Sequence, residues 1–461
     1  MLTPTIGDSG LYHFNSIRWL NEYAIVPGLG NLHGRLAFNQ SFFTYVALLN
    51  LYPYFNHGHN IALSFLILLT LSECLYAGFR KIQKTGLGKA PLPSTLFSIL
   101  ITPLLFWFTI HSKSSSPTPN TFIFLVQIIL MLHLIRFIEN HNNHKKLASE
   151  FKFILLIAVC SVTCKLSNAV YALTVCLSAF IVFFTTVKSF KSIFKSIFPT
   201  LLIALCMLTV WWGRGIIYSG CPMYPSTFLQ VDTVWSVPPE KVKDEANWVY
   251  SWARANNKHY TEVLGNWNWF SPWLREILKN NLFLLSVFIF LLGTAATLFT
   301  GLFALFKKIP VKTKTLYWLS YIPIFCSLVF WFITAPSLRF AGAIFWLLGI
   351  TTIIFIPSHK DFLKIKQACF CLALFLLCIP FLYYVCFKDQ LTDISLSGYQ
   401  PIKKVELISK TTDSGLKIFV PLNDNAPWDS DLPATPYFNS RLYLIGNRLD
   451  QGFSIKSPKH K

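Results

Sequence analysis

Ten long apolar runs constrain this chain more than any other feature. They lie at about 60–79, 94–111, 121–138, 151–168, 170–187, 197–217, 282–306, 316–334, 340–357 and 368–387. Each is roughly 17 to 25 residues long, the length a helix needs to cross a hydrocarbon core about 30 Å thick. Lipid offers no partner for a free amide or carbonyl, so such segments must satisfy their backbone internally, as helices. Composition agrees: 53% of residues are hydrophobic, 13% are charged, and the mean hydropathy is +0.49. The expected fold is an all-α polytopic membrane protein with about ten transmembrane helices. The stretch 151–187 turns at "KLSN" with almost no loop, and reads either as two spans or as one long broken helix.

Lys and Arg in short loops stay on the cytoplasmic side. With the C-terminal tail outside, the loops on the inner side hold 17 Lys and Arg, from Arg80, Lys81, Lys84 and Lys89 through to Lys360, Lys364 and Lys366. The short outer turns hold three: Lys113, Lys165 and Arg339. This imbalance places 1–59, the loop 222–281 and the tail 388–461 outside, and with them Asp8. The expected domains are therefore an outward N-terminal segment (1–59), a transmembrane domain (60–387) and a small outward C-terminal module (388–461).

The net charge of +20 is no nucleic-acid signal, because nearly half the cations form that inner collar, whose simpler partner is the anionic headgroups of the bilayer. Of the eleven cysteines all but Cys221 fall in or at the ends of apparent spans, so no disulfide framework is implied. No Gly-rich phosphate loop and no internal repeat is present.

The outward N-terminal segment is more specific. From Leu11 to Tyr23, Asn15, Arg18 and Glu22 recur at helical spacing opposite Leu11, Phe14, Ile17 and Leu20, which fits a helix lying on the membrane surface. "FFTYVALLNLY" is too short to cross and reads as a second interfacial or re-entrant helix. In the Trp-rich outer loop, "VPPEKVKDEANWVYSWAR" reads as a helix opened by Pro238 and Pro239, covering the surface like a lid. The tail offers strand-like "GLKIFVPL" and "RLYLIG" around the acidic turn "NDNAPWDSDLP".

An outward acid directly before a pair of surface helices, then many spans and an outward tail, resembles the layout of the GT-C superfamily of lipid-linked-sugar glycosyltransferases. "GDSGLYHFNSIRWLNEYAIVPGLGNLHGR", "GRGIIYSGCPMYPS", "APSLRFAGA" and "WDSDLPATPYFNSRL" also resemble segments of bacterial membrane proteins with that layout. The resemblance implies a transferase in a bacterial cytoplasmic membrane, its active site facing outward, that moves a sugar from a polyprenyl-phosphate donor to an extracytoplasmic acceptor. It places the catalytic base or metal ligand on Asp8. Two features depart from the superfamily: only "MLTPTIG" precedes Asp8, so a further apolar helix is expected to be encoded upstream, and "HSKSSSPTPN" lacks a second acid.

Chemistry gives its own reason for an acid there. Transfer needs a base for the acceptor hydroxyl, or a divalent metal to neutralise the leaving phosphate. The alternative is that Asp8 or Ser9 N-caps the helix. His13, His33 and Arg35 share the region, either as sugar or phosphate contacts or as ordinary interfacial residues. Lys165, Arg214 and Arg339 stand at or near outward span ends, where they either snorkel to headgroups or converge as a phosphate clamp. Asp424, Asp429 and Asp431 are candidates for the missing second acid or a solvated loop. Two other functions compete: an O-antigen-type polymerase or ligase working through Arg and His, and a transporter or flippase drawing on Glu73, the acid deep within a span.

Overall fold

The structure is a computed structural model and describes residues 7–85, 92–110, 116–307, 315–357, 362–387 and 402–455. Lys89, Lys113, Lys308, Lys312, Lys314 and Lys360 of the charge count lie outside the described residues, as do 1–6 and 388–401 of the terminal segments.

A short N-terminal layer comes first: α1 (Phe14–Glu22), α2 (Leu29–Leu32) and α3 (Ser41–Leu49). The bundle follows with α4 (Gly58–Thr85), α5 (Pro93–Ile110), α6 (Pro119–Glu139), α7 (His144–Cys164), α8 (Ala169–Val187) and α9 (Phe190–Ser219). A loop layer carries α10 (Pro239–Trp252), α11 (Tyr260–Val263) and α12 (Phe270–Leu278). The bundle resumes with α13 (Asn281–Phe306), α14 (Tyr321–Thr334), α15 (Leu338–Ala341), α16 (Ile344–Ile354) and α17 (Leu363–Phe387).

Among the described residues, eight helices are long and apolar enough to cross a membrane, which makes this a multi-pass membrane protein. The expected run 94–111 is α5, Pro93–Ile110, and within the expected run 340–357 the apolar helix is the shorter α16, Ile344–Ile354. The stretch 151–187 is two helices. Lys165 adopts an extended backbone, φ −158°, that ends α7, and a single 3₁₀ turn, Leu166–Asn168, opens α8.

Burial separates the middle of the bundle from its lipid-facing rim. In α6, 89% of the span is buried, whereas α9 and α13 bury 22% and α17 17%. The four spans are of similar hydropathy, so position in the bundle, and not hydropathy, decides which helices are enclosed and which form the rim.

The tail is not a separate module. Strands β1 (Leu407–Thr411) and β2 (Lys417–Pro421) form an antiparallel hairpin, and β3 (Tyr443–Leu444) pairs with β4 (Phe453–Ser454). Ile418, Val420, Leu442 and Phe453 share one apolar core with Tyr12, Trp19, Leu29 and Val46 of the N-terminal layer. Phe453 is fully buried, meets the Trp19 ring edge-on at 5.8 Å, and donates its amide to the Pro27 carbonyl. The helix expected to lie on the membrane surface packs against the tail: Arg18 reaches Asp431 and the Asp429 carbonyl, and Asn15 is buried.

Candidate active site

The helix is already under way at Gly7, so Asp8 and Ser9 lie inside it and neither caps it. Ser9–His13 forms a π turn, closed by the Phe14 amide on the Ser9 carbonyl; such widened turns recur at functional sites. The Asp8 side chain makes no capping hydrogen bond, and Ser9 Oγ instead pairs with His13 Nδ1 at 3.1 Å. The Asp8 carboxylate turns to two distant arginines. Arg339 Nη1 donates to Oδ2 at 2.9 Å, and Arg35 Nη1 lies 3.5 Å from Oδ1. Arg35 Nε in turn donates to Glu245 Oε1 at 3.3 Å. Lys165 belongs to the same electrostatic cluster. Its ammonium donates to Asn120 Oδ1 and lies 4.6 Å from the centre of the Phe340 ring.

Each side chain is held by a break in regular structure. Arg339 sits on the single-turn α15, which Gly342 separates from α16. Gly342 has φ +61°, and an added Cβ would lie 2.4 Å from Gln127 Oε1. That oxygen accepts from the Ala343 amide at 2.6 Å, while Gln127 Nε2 donates to Asn168 Oδ1 at 2.9 Å. One glutamine of the central helix thereby ties the Arg339 turn to the Lys165 turn. Arg35 lies on a 3₁₀ turn, Gly34–Phe38. A Cβ on Gly34 would stand 2.9 Å from both Glu245 Oε2 and the Tyr224 hydroxyl, so only glycine lets α10 bring its acid this close.

The two acids differ in character. Burial pushes the Asp8 carboxyl up, but Arg339, assisted by Arg35 and Lys165, outweighs it and holds the group below its ordinary value. Glu245 is pushed up by burial, which Arg35 offsets only in part. Burial and the Arg339 charge press Lys165 down to about 7 against the pull of Asp8. Burial drives His13 and His33 down to about 3, so both are neutral imidazoles at ordinary pH.

Beside this cluster opens a cleft of about 570 Å³ between α6, α8, α14 and α10. Lys165 and Phe340 are part of its wall, and Tyr171, Val249, Phe330 and Trp331 make it largely apolar. The tail reaches the same neighbourhood. Tyr437, 59% exposed, meets the buried His33 ring at 5.2 Å and lies within the field of Arg35.

Other candidates fall elsewhere. Arg214 does not join the cluster: it donates to Asn39, Ser41 Oγ and Thr44 Oγ1 and fastens α9 to the N-terminal layer. Asp429 and Asp431 face Arg18, and Asp424 pairs with Lys403. Glu73 pairs with Arg136, and His133, 3.9 Å from Glu73, bonds Glu150 at 2.7 Å. The transporter function thus has a companion acid that the sequence did not suggest, but Glu73 is tied into an ion pair. Glu245 is the residue that sequence reasoning missed. Its signal was an acid four residues before Val249 on a helix expected to cover the membrane surface like a lid.

A divalent metal on Asp8 fits poorly. Its carboxylate is shared between two guanidiniums, Glu245 is paired with one of them, and among the described residues no three His, Cys, Asp or Glu gather as a ligand set. No curated protein and no solved structure matches the chain. A family model for a domain of unknown function matches residues 1–346, a stretch containing Asp8, Arg35, Lys165, Glu245 and Arg339.

Proposed function

The chain belongs to the DUF8201 family, a domain of unknown function, and on its geometry we propose that it is a membrane glycosyltransferase of GT-C-like layout. It moves a sugar from a polyprenyl-phosphate donor to an acceptor on the outer face of a bacterial cytoplasmic membrane. One observation carries this: two acids and three cations, from segments up to 331 residues apart, gather beside an apolar cleft whose wall includes one of them, Lys165.

A polyprenyl phosphate has the matching halves. Its hydrocarbon chain suits the cleft between α14 and α8, and its phosphate suits Lys165 and Arg339 at the rim. In the transfer, an acceptor hydroxyl oxygen forms a bond to the anomeric carbon as the carbon–phosphate oxygen bond breaks. The electron pair leaves on the phosphate, where Lys165 and Arg339 stabilise it, and the hydroxyl proton passes to a carboxylate. Of the two acids Glu245 is the better base, because its raised pKa gives it more affinity for the proton. Asp8, held ionised, is suited to orienting Arg339 and Arg35 and to balancing positive charge on the sugar in the transition state.

The test is a glycolipid profile of a knockout strain carrying each variant. Asp8→Asn, Glu245→Gln and Arg339→Gln are each expected to insert normally and to lose the product, with rates down by about 10² for the acids. Full restoration by both acid variants would overturn the mechanism. If Asp8→Asn and Glu245→Gln restore the product while Arg35→Gln and Arg339→Gln do not, an O-antigen-type polymerase or ligase takes its place; the arginine cluster favours that second possibility.

A further inference from the structure

A second cleft lies on the N-terminal layer, walled by Phe14, Arg18, Asn50, Tyr52, His59 and Asp429. It has no wall residue in common with the apolar cleft or with the Asp8 ion pairs. Ten residues of helix at about 1.5 Å each set Arg18, on its wall, about 15 Å along the axis from Asp8. Trp428, packed on Gly10 and stacked on Phe14 at 6.2 Å, lies along the helix between them.

The chemistry of the wall repels an anion, offers no metal-ligand set among the described residues, and favours a polyol. Arg18 is the charge that would attract an anion, but it is neutralised by Glu22 at 2.6 Å and Asp431 at 2.7 Å, with Asp429 at 3.9 Å. Three carboxylates around one guanidinium leave a negative balance that repels anions, and among the described residues no three His, Cys, Asp or Glu gather as a ligand set for a metal ion. The hydrogen-bonding capacity left over is neutral and of both kinds. Asn50 spends its oxygen on the Gly58 amide and keeps its amide hydrogens. Asn56 spends its nitrogen on the Pro53 carbonyl and keeps its oxygen. His59, only 4% exposed, has an Nε2 with no partner in the protein, an arrangement that costs free energy unless a ligand or water satisfies it. Tyr52, 48% exposed, supplies an aromatic wall.

We propose that this cleft binds a neutral, hydroxyl-rich ligand, a glycan, whose hydroxyls both donate and accept and whose ring packs on Tyr52. It is a binding site and carries no chemistry of its own, so it stands whether or not Asp8 serves sugar transfer.

Saturation-transfer NMR on the full chain in lipid nanodiscs tests this, with methyl glycosides of glucose, galactose and N-acetylglucosamine as probes and inorganic phosphate for comparison. At least one glycoside is expected to bind the wild-type chain. Binding should weaken about tenfold in Tyr52→Ala and in His59→Phe, the equivalent of roughly one lost hydrogen bond or ring contact, and persist in Asp8→Asn. Tyr52 is half exposed, so its variant reports even if His59→Phe fails to fold. Absence of glycoside binding, binding unchanged in Tyr52→Ala, binding lost in Asp8→Asn, or binding of phosphate alone would each overturn the proposal. Failure of the transferase mechanism reads separately, as product restored by the acid variants.

Discussion

At the scale of single residues, Asp8 and Glu245 share an environment and divide its chemistry. Both are mostly buried beside Arg35, yet Arg339 and Lys165 act on Asp8 and not on Glu245, and those extra cations, Arg339 above all, set one acid low while the other stays high. A raised carboxyl is protonated, and useless as a base, at pH values where an ordinary one is already ionised. Transfer rate should therefore fall on acidification with a midpoint above the ordinary glutamate value of 4.5, and Glu245→Gln should flatten that limb; an unchanged limb in the variant would assign it to another group. Gly34→Ala supplies a gentler perturbation. The new methyl meets the flexible ends of Glu245 and Tyr224 and no backbone, so insertion and thermal stability should stay normal. Displacing the acid by about 1 Å should still cost up to 10² in rate. Normal turnover in Gly34→Ala would mean that Glu245 does not act at this position.

Elements contribute through their interruptions. Lys165 and Arg339 meet because α7 and α8 part at an extended residue, α15 and α16 part at a left-handed glycine, and Gln127 of α6 bonds to both breaks. Replacing Gln127 by Leu strands the Asn168 carbonyl and the Ala343 amide in a buried setting. The expected cost is about 1 to 3 kcal/mol, read as a lower unfolding temperature in detergent together with weaker donor binding. A variant as stable as wild type would show that these groups find other partners. The lid helix α10 was legible at its boundaries, since Pro239 opens it and Val242 is buried beneath it. Its acid was not singled out, because a lone glutamate on an exposed-looking helix carries no sign of the arginine it will meet 210 residues away.

For the whole molecule, the N-terminal layer and the tail form one body capped over the end of the bundle where α6 and α8 begin. Truncating Phe453 to Ala removes a fully buried ring from their common core. It should cost about 3 to 5 kcal/mol and expose the tail to protease in reconstituted vesicles; a tail that remains resistant would show that the two segments hold independently. The orientation has its own test. Tyr437→Cys puts a thiol at an exposed tail position, and a membrane-impermeant maleimide should label it in intact cells above the background of the native chain. Labelling only after permeabilisation would turn the proposed outward site inward.

Hydropathy and run length alone determined that the chain is a helical multi-pass membrane protein, because a lipid-facing backbone has only that way to satisfy itself. The charge rule also marked Lys165 and Arg339 as outward cations, with a phosphate clamp as one of two explanations, while Asp8 was singled out by resemblance and Arg35 by its place in the same outward segment. Only the tertiary structure decided that Arg214 fastens α9 while Arg339 reaches Asp8, that Glu245 completes the cluster, that Asp8 caps nothing, and that the tail covers α1. Each of those facts is a long-range pairing. Apolar spans determine that helices form and which residues lie at their ends, but the partner of a charged end is set by how the helices pack around α6, and no periodicity along the chain encodes that neighbour.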